Sequence, residues 1–273
     1  MILGMRGHDF GKMQPAALAD AISQYGFRAT QLAFAKCFEG PAEQYMTPEA
    51  LASIRETFAA RDIAIPVLGS YVSASDADDA VREAAKEKYA AALRASVTLG
   101  AGCVGTETTH FRADESEREA AYGRLLDFAK HVAAAAEDCG AIAAIEPVAL
   151  HTLNTPELTR RLLDDVHSPN LKVILDTANL VTPQTTAPEA QLEIFERCIA
   201  CFGGDVVALH IKDGVFDAEG KWQNRPLGEG VMDWARLFPR LRQHFDNLCA
   251  TREGVFPGMA AEELATMRRW HEG

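Results

Sequence analysis

Short apolar runs alternate with longer amphipathic stretches from one end of the chain to the other. Ala141-Ile142-Ala143-Ala144-Ile145, Val173-Ile174-Leu175 and Val206-Val207-Ala208-Leu209 lack helical periodicity and are bounded by turn residues. Each therefore predicts a strand buried on both faces. Strands are predicted over 1–5, 28–34, 63–70, 102–107, 141–146, 171–176, 205–211 and 247–252. Helices are predicted between and after them, over 15–25, 47–60, 78–98, 115–139, 156–164, 188–202, 233–244 and 260–270. Thr47-Pro48-Glu49, Thr155-Pro156-Glu157 and Asp114 read as helix starts, where a side-chain oxygen accepts an orphan amide and, in the first two, proline suits the first turn. Strand–helix alternation on this scale predicts a parallel sheet, and eight units predict closure into a single (β/α)8 TIM barrel occupying 1–273. The stretch 213–232, with Asp213-Gly214, Glu219-Gly220 and Gly228-Glu229-Gly230, is expected to be a long loop and a lid or a passive surface excursion.

Three of the apolar runs stop at a residue able to bind a metal: Glu146, Asp176 and His210, at steps of 30 and 34 residues. A β-α-β unit takes roughly 30 or more residues. The three thus fall at the same ends of successive parallel strands, where barrels keep their chemistry. Singly, each has a structural reading: Glu146 before Pro147 as a strand-end cap, Asp176 as a cap for Thr177 or Asn179, His210 as a core histidine. Together they suit one divalent cation through oxygen and nitrogen donors, Mn²⁺ foremost, with Mg²⁺, Co²⁺ or Zn²⁺ also fitting. Arg6, His8, Asp9, Tyr71, Thr106, Glu107, His110, His151 and Lys212 follow other strands. Of these, His8 and His110 are expected as proton shuttles or as loop-fixing hydrogen bonders. Glu107 is the expected second carboxylate. Lys212, two residues beyond His210, either binds a substrate oxygen or lies on the surface. His8, Tyr71, His110, Asn179 and Lys212 form the expected substrate-binding set.

Bulk properties narrow the function classes. A formal charge of −12 argues against a phosphate-neutralising surface for nucleic acid, though not against a small anion held locally. No stretch reaches the ~18 apolar residues of a membrane span, and Met1-Ile2-Leu3-Gly4 has no signal-peptide pattern, so a cytoplasmic protein is expected. Six cysteines are scattered, and Cys198-Ile199-Ala200-Cys201 falls late in a predicted helix with no second pair to close a zinc site. Structural cysteines are expected.

Several segments resemble the xylose-isomerase-like sugar phosphate isomerase/epimerase superfamily. They are Ala144-Ile145-Glu146-Pro147, His151-Thr152-Leu153-Asn154-Thr155-Pro156-Glu157, Ile174-Leu175-Asp176-Thr177-Ala178-Asn179-Leu180, Leu209-His210-Ile211-Lys212-Asp213 and Pro226-Leu227-Gly228-Glu229-Gly230. The resemblance implies that Glu146, Asp176 and His210 bind one metal, with a glutamate on the last strand as fourth ligand. Here the chain departs from the family, because Thr251 stands at that position in Leu248-Cys249-Ala250-Thr251-Arg252-Glu253-Gly254. Glu253 lies on the same strand face and is expected as substitute ligand and second acid/base, the alternatives being water or substrate in the open position, or no stable metal. By the same resemblance, Glu146 abstracts a proton next to a carbonyl and a metal-held enediolate follows. Glu253, Glu107 or His110 would return a proton in an epimerisation. The implied activity is that of a metal-dependent isomerase or epimerase acting on a small sugar, keto-sugar or cyclitol. A lyase or dehydratase eliminating a group next to a carbonyl, and a non-catalytic sugar-binding barrel that lost its metal, are the alternatives. Nucleic acid and membrane are not expected partners, and a homo-oligomer is compatible with the sequence.

Overall fold

The computed structural model describes residues 1–255 and 258–272. Eight parallel strands close into a barrel: β1 (Ile2–Arg6), β2 (Ala29–Leu32), β3 (Ala64–Gly69), β4 (Cys103–Glu107), β5 (Ala143–Glu146), β6 (Leu171–Leu175), β7 (Val206–Ile211) and, last in the chain, β10 (Cys249–Arg252). Closure is made by β1, which pairs with β2 on one side and β10 on the other. The intervening β8 (Asp213–Phe216) and β9 (Trp222–Arg225) form a separate antiparallel hairpin. Segment 213–232 is thus not the loop expected of it. Its strands are short and largely polar, so apolar patterning does not reveal them.

The outer layer consists of α1 (Pro15–Tyr25), α3 (Pro48–Ala59), α4 (Asp79–Leu99), α5 (Arg118–Cys139), α6 (Pro156–Val166), α8 (Pro188–Phe202), α9 (Trp234–Phe245) and α10 (Ala260–Glu272). One-turn helices α2 (Phe34–Cys37) and α7 (Thr177–Leu180) follow β2 and β6. Three caps read from sequence form: Thr47 accepts from Ala50 N at 3.3 Å, Thr155 from Leu158 N at 3.1 Å and Asp114 from Ser116 N at 2.9 Å. Asp114, however, opens a 3₁₀ turn at Glu115–Glu117, and α5 begins only at Arg118. All six cysteines are free, and Cys198 is buried on α8. Among the described residues no helix is long and apolar enough to cross a membrane.

The barrel interior is filled by Val67, Cys103, Ala144, Ile174 and Ala208, separate from the larger core between strands and helices. Gly105 of β4 makes room for this packing. A Cβ there would lie 2.6 Å from Ile174 Cδ1 and 2.8 Å from Val67 Cγ1, well inside contact distance.

A buried ion pair ties the last strand to the last helix. Arg252 (0% exposed) donates to both oxygens of Glu263 (2% exposed), Nε to Oε2 at 2.9 Å and Nη2 to Oε1 at 3.1 Å. Arg252 Nη2 also reaches Arg225 O at 2.9 Å, so the same guanidinium holds β9. Removing one partner leaves a buried charge uncompensated, at a typical cost of about 3–5 kcal/mol. Glu263→Ala should therefore lower unfolding stability by about that amount in urea titration. A loss below about 1 kcal/mol would show that the pair is not supporting the fold.

Candidate active site and metal centre

The strand ends bring together three buried residues able to bind a metal. Glu146 closes β5, Asp176 follows β6, and His210 lies near the end of β7, with 3%, 0% and 1% of their surfaces exposed. One donor atom from each lies within 4.8 Å of the others. Local hydrogen bonding decides which atoms face inward. Asp176 caps α7, its Oδ1 accepting from Ala178 N at 2.9 Å and Asn179 N at 3.3 Å. The capping and metal-binding readings of Asp176 thus fall on different oxygens, since Oδ2 has no hydrogen-bond partner. Asn179 Nδ2 donates to Glu146 Oε1 at 2.6 Å, while Glu146 Oε2 lies 3.2 Å from His210 Nδ1 without hydrogen-bond alignment. Neither nitrogen of His210 has a hydrogen-bond partner. Buried polar atoms are rarely left so. Two carboxylates and an imidazole, with unpartnered atoms converging, can hold a divalent metal ion.

Charge around this group is closely balanced. Glu253, just past β10, reaches His210 Nδ1 at 3.6 Å through Oε1 and Arg6 Nη1 at 3.5 Å through Oε2. Burial disfavours its charge, but His210, Arg6 and Lys212 prevail and hold its pKa down to about 2. Burial likewise opposes charge on His210, yet Glu253, Glu146 and Asp176 raise it to about 9. Asp176 is pushed up to about 6 by burial, against the pull of Lys212. Lys212 is not the surface lysine of the alternative reading. Its Nζ lies 3.2 Å from Asp176 Oδ2 and hydrogen-bonds Asn179 Oδ1. Thr251, in register with His210, is fully buried and its hydroxyl has no partner.

The model of the xylose isomerase-like TIM barrel family matches residues 19–269. The chain belongs to this family. Among solved structures, a D-tagatose 3-epimerase-like protein superposes with TM-score 0.80 at 17% identity, covering 100% of this chain and 97% of that one. The IOLI protein with a bound zinc atom gives 0.78 at 16%, covering 99% and 96%. The 3-keto-D-glucoside 4-epimerase YcjR from E. coli gives 0.76 at 16%, covering 98% and 99%. No curated protein matches.

In this xylose isomerase-like barrel the remaining predicted residues divide between wall and rim. Tyr71 lies against Gln31, whose Nε2 donates to the phenol oxygen at 2.6 Å. Gln31 is 1% exposed with its Oε1 unpartnered. Sequence reading passed it over, although a glutamine within Ala29-Thr30-Gln31-Leu32 of a buried strand was the available signal. His8 is half-buried with Nδ1 unpartnered. Arg6 and Asp9 form a clamp: Arg6 Nη2 donates to Asp9 Oδ1 at 2.7 Å, and Asp9 Oδ2 accepts from Gly254 N at 2.9 Å. Glu107 pairs in register with Glu146 but is 39% exposed at its side chain, 3.8 Å from His151 Nε2. His110 is exposed and bridges to the His151 backbone, with Arg112 Nε donating to its Nδ1 at 3.3 Å. These contacts are of the loop-fixing kind and lie apart from Glu146, Asp176 and His210.

The hairpin is anchored by a residue that strand-end patterning does not single out. Asp213 is fully buried and accepts from Gly214 N (2.9 Å), Gly228 N (2.9 Å), Gly230 N (3.3 Å) and Met232 N (3.1 Å). Gly230 is required by this approach, since a Cβ would lie 2.0 Å from Asp213 Oδ1. Trp234 Nε1 donates to Lys212 O at 3.0 Å and so fixes the backbone carrying that lysine.

His151 also carries a pH signature. Burial, then His110 and Lys212, hold its pKa at about 4 against an ordinary 6.5. Between those values the unfolded chain binds a proton that the native imidazole refuses, so stability falls as pH drops from 6.5 towards 4. The urea midpoint should fall across that window in the wild type and less steeply in His151→Gln. Equal slopes would remove His151 as the cause.

Proposed function

We propose that this barrel is a metal-dependent isomerase or epimerase of a small sugar, keto-sugar or cyclitol, with Glu146 as the base. The observation that carries the reading is the convergence of buried donor atoms of Glu146, Asp176 and His210 within 4.8 Å, with neither His210 nitrogen hydrogen-bonded and Asp176 Oδ2 facing the Lys212 ammonium at 3.2 Å. A divalent cation held there by Glu146, Asp176 and His210, Mn²⁺ in our proposal, would act as a Lewis acid that makes a C–H next to a carbonyl more acidic. The similarity to a D-tagatose 3-epimerase-like protein and a 3-keto-D-glucoside 4-epimerase supports the substrate class, and the zinc in the IOLI protein supports a metal.

The chain's own groups divide the remaining work. Asn179 donates to Glu146 Oε1 at 2.6 Å and so orients the carboxylate. Burial raises the pKa of Glu146, against the opposing effect of His210, and so strengthens it as a base. Lys212, tied to Asp176 and Asn179, presents a cation for a substrate oxygen. Glu253 is our proposed second acid/base and additional ligand, because it reaches the same imidazole as Glu146. Tyr71 and His8 line the substrate's side of the mouth, and Glu107 with His151 and His110 guards the rim. A second reading, elimination of a leaving group after the same proton abstraction, is favoured by one observation. Thr251 offers a hydroxyl, not a carboxylate, where a two-face epimerase needs its second acid.

Two measurements test the reading. Protein purified with Mn²⁺ and dialysed should hold one equivalent of metal by elemental analysis, and Asp176→Ala should hold none. Retained stoichiometric metal in that variant sinks the metal centre. With keto-sugars in deuterium oxide, the wild type should incorporate deuterium next to the carbonyl, and Glu146→Gln should lose about 10²–10⁴-fold in exchange rate. Full exchange by Glu146→Gln at saturating metal rules out Glu146 as the base, and an absorbing enone product would select elimination.

A further inference from the structure

Beside the carboxylates the barrel mouth changes character. A cavity of about 260 Å³ runs from Asn179 and Lys212 outward beneath the hairpin. Its inner end is polar and borders the candidate centre, since the lining residues Asn179 and Lys212 contact Glu146 and Asp176. Its outer part is mainly apolar, walled by Phe216 and Trp222 of the hairpin, by Val181 and Pro183 after α7 and by Leu150 at the lip, with Thr182 and Gln184 also lining it. Ligand pockets for whole small molecules run to about 300–1,000 Å³, so this volume suits part of a ligand.

The aromatic wall is held in place before any ligand arrives. Phe216 and Trp222 are opposite residues of the β8–β9 ladder, their rings edge-to-face at 5.2 Å between centroids. Trp222 Nε1 donates to Asn224 Oδ1 at 2.9 Å, and its benzo ring lies on Gly214, where a Cβ would come within 2.5 Å. The Asp213 carboxylate holds the base of the hairpin, and the tip is seated with Gly220 beside Pro183. Both rings are only half-buried, and Leu150 is 62% exposed, so the wall keeps apolar surface available.

We infer that this cavity is a substituent subsite, and that the substrate is a sugar or cyclitol bearing an apolar, ring-sized group, as an aryl glycoside does. The polar end takes the hydroxyl-bearing ring at Lys212 and Asn179, and the apolar group lies against Trp222 and Phe216. A bare monosaccharide would leave this wall facing water. The inference rests on the proposed reaction only for where the polar end lies.

Binding of phenyl β-D-glucoside and methyl β-D-glucoside to the intact protein tests it, measured by calorimetry or ligand-detected NMR. Neither probe carries a ketone, so binding is read without proton abstraction. The phenyl compound should bind at least about tenfold more tightly than the methyl one, the scale expected for filling an apolar pocket. Trp222→Ala should bring the two close to equality. Leu150→Asp, a change at an exposed lip position that leaves the fold intact, should also reduce the preference. Equal or absent binding of the two probes overturns the subsite, as does a phenyl preference unchanged in both variants. Loss of deuterium exchange with the phenyl preference intact would instead count against the proposed reaction and leave the subsite standing.

Discussion

Three buried carboxylates share one barrel mouth, and the rest of the site answers to that crowding. Glu146, Asp176 and Glu253 are 3%, 0% and 6% exposed, so each carries a desolvation penalty and repels the others. The compensating cations are His210, Lys212 and Arg6, and they are unequally shared. Glu253 gains His210 and Arg6 and stays ionised, with its pKa at about 2. Asp176 is raised to about 6, and Glu146 is also raised. The two carboxylates whose charge the protein satisfies least are those that converge with an imidazole. Such a pair has most to gain from a cation.

Backbone amides fastened to three aspartates fold the surrounding loops onto this mouth. Asp9, Asp176 and Asp213 each accept backbone N–H groups: from residues 254 and 255, from 178 and 179, and from 214, 228, 230 and 232. Each thereby folds a stretch of loop back onto the barrel rim. Asp213 is satisfied by amides alone, whereas Asp9 also takes Arg6 and Asp176 also faces Lys212, so the rim and the central group share the same cations. The cost of such a device is steric. Gly230 must lack a side chain because the Asp213 oxygen occupies the space where one would be.

What could be read in the sequence follows from which forces are local. The eight barrel strands and eight outer helices repeat at the periods of buried strand and amphipathic helix, and their predicted bounds lie within about three residues of the observed ones. The convergence of Glu146, Asp176 and His210 was legible because barrel topology converts steps of 30 and 34 residues into proximity. The hairpin was not, since Asp213–Phe216 and Trp222–Arg225 depend on each other and on Asp213 rather than on a buried apolar face. Gln31 and Asp213 were missed for a related reason: their importance lies in partners 40 and 15–19 residues away. His110, conversely, carries an attractive side chain at a strand end but points its ring at Arg112 and His151.

The departure at Thr251 illustrates how strand parity and depth separate. Glu253 N still donates to Ile211 O at 2.9 Å, so the chain continues the β10–β7 ladder past the strand's formal end. Thr251 and Glu253 accordingly face the mouth, while Arg252 between them points outward to Glu263. Two residues of strand rise carry a side chain about 6–7 Å further along the barrel axis. A carboxylate moved outward by that distance meets Arg6 of β1, a partner that Thr251, in register with Gly4, does not share. The glutamate side chain then reaches back to His210 at 3.6 Å from above, leaving only the small threonine hydroxyl at the floor. A carboxylate at 253 rather than 251 thus stays beside His210 while gaining Arg6.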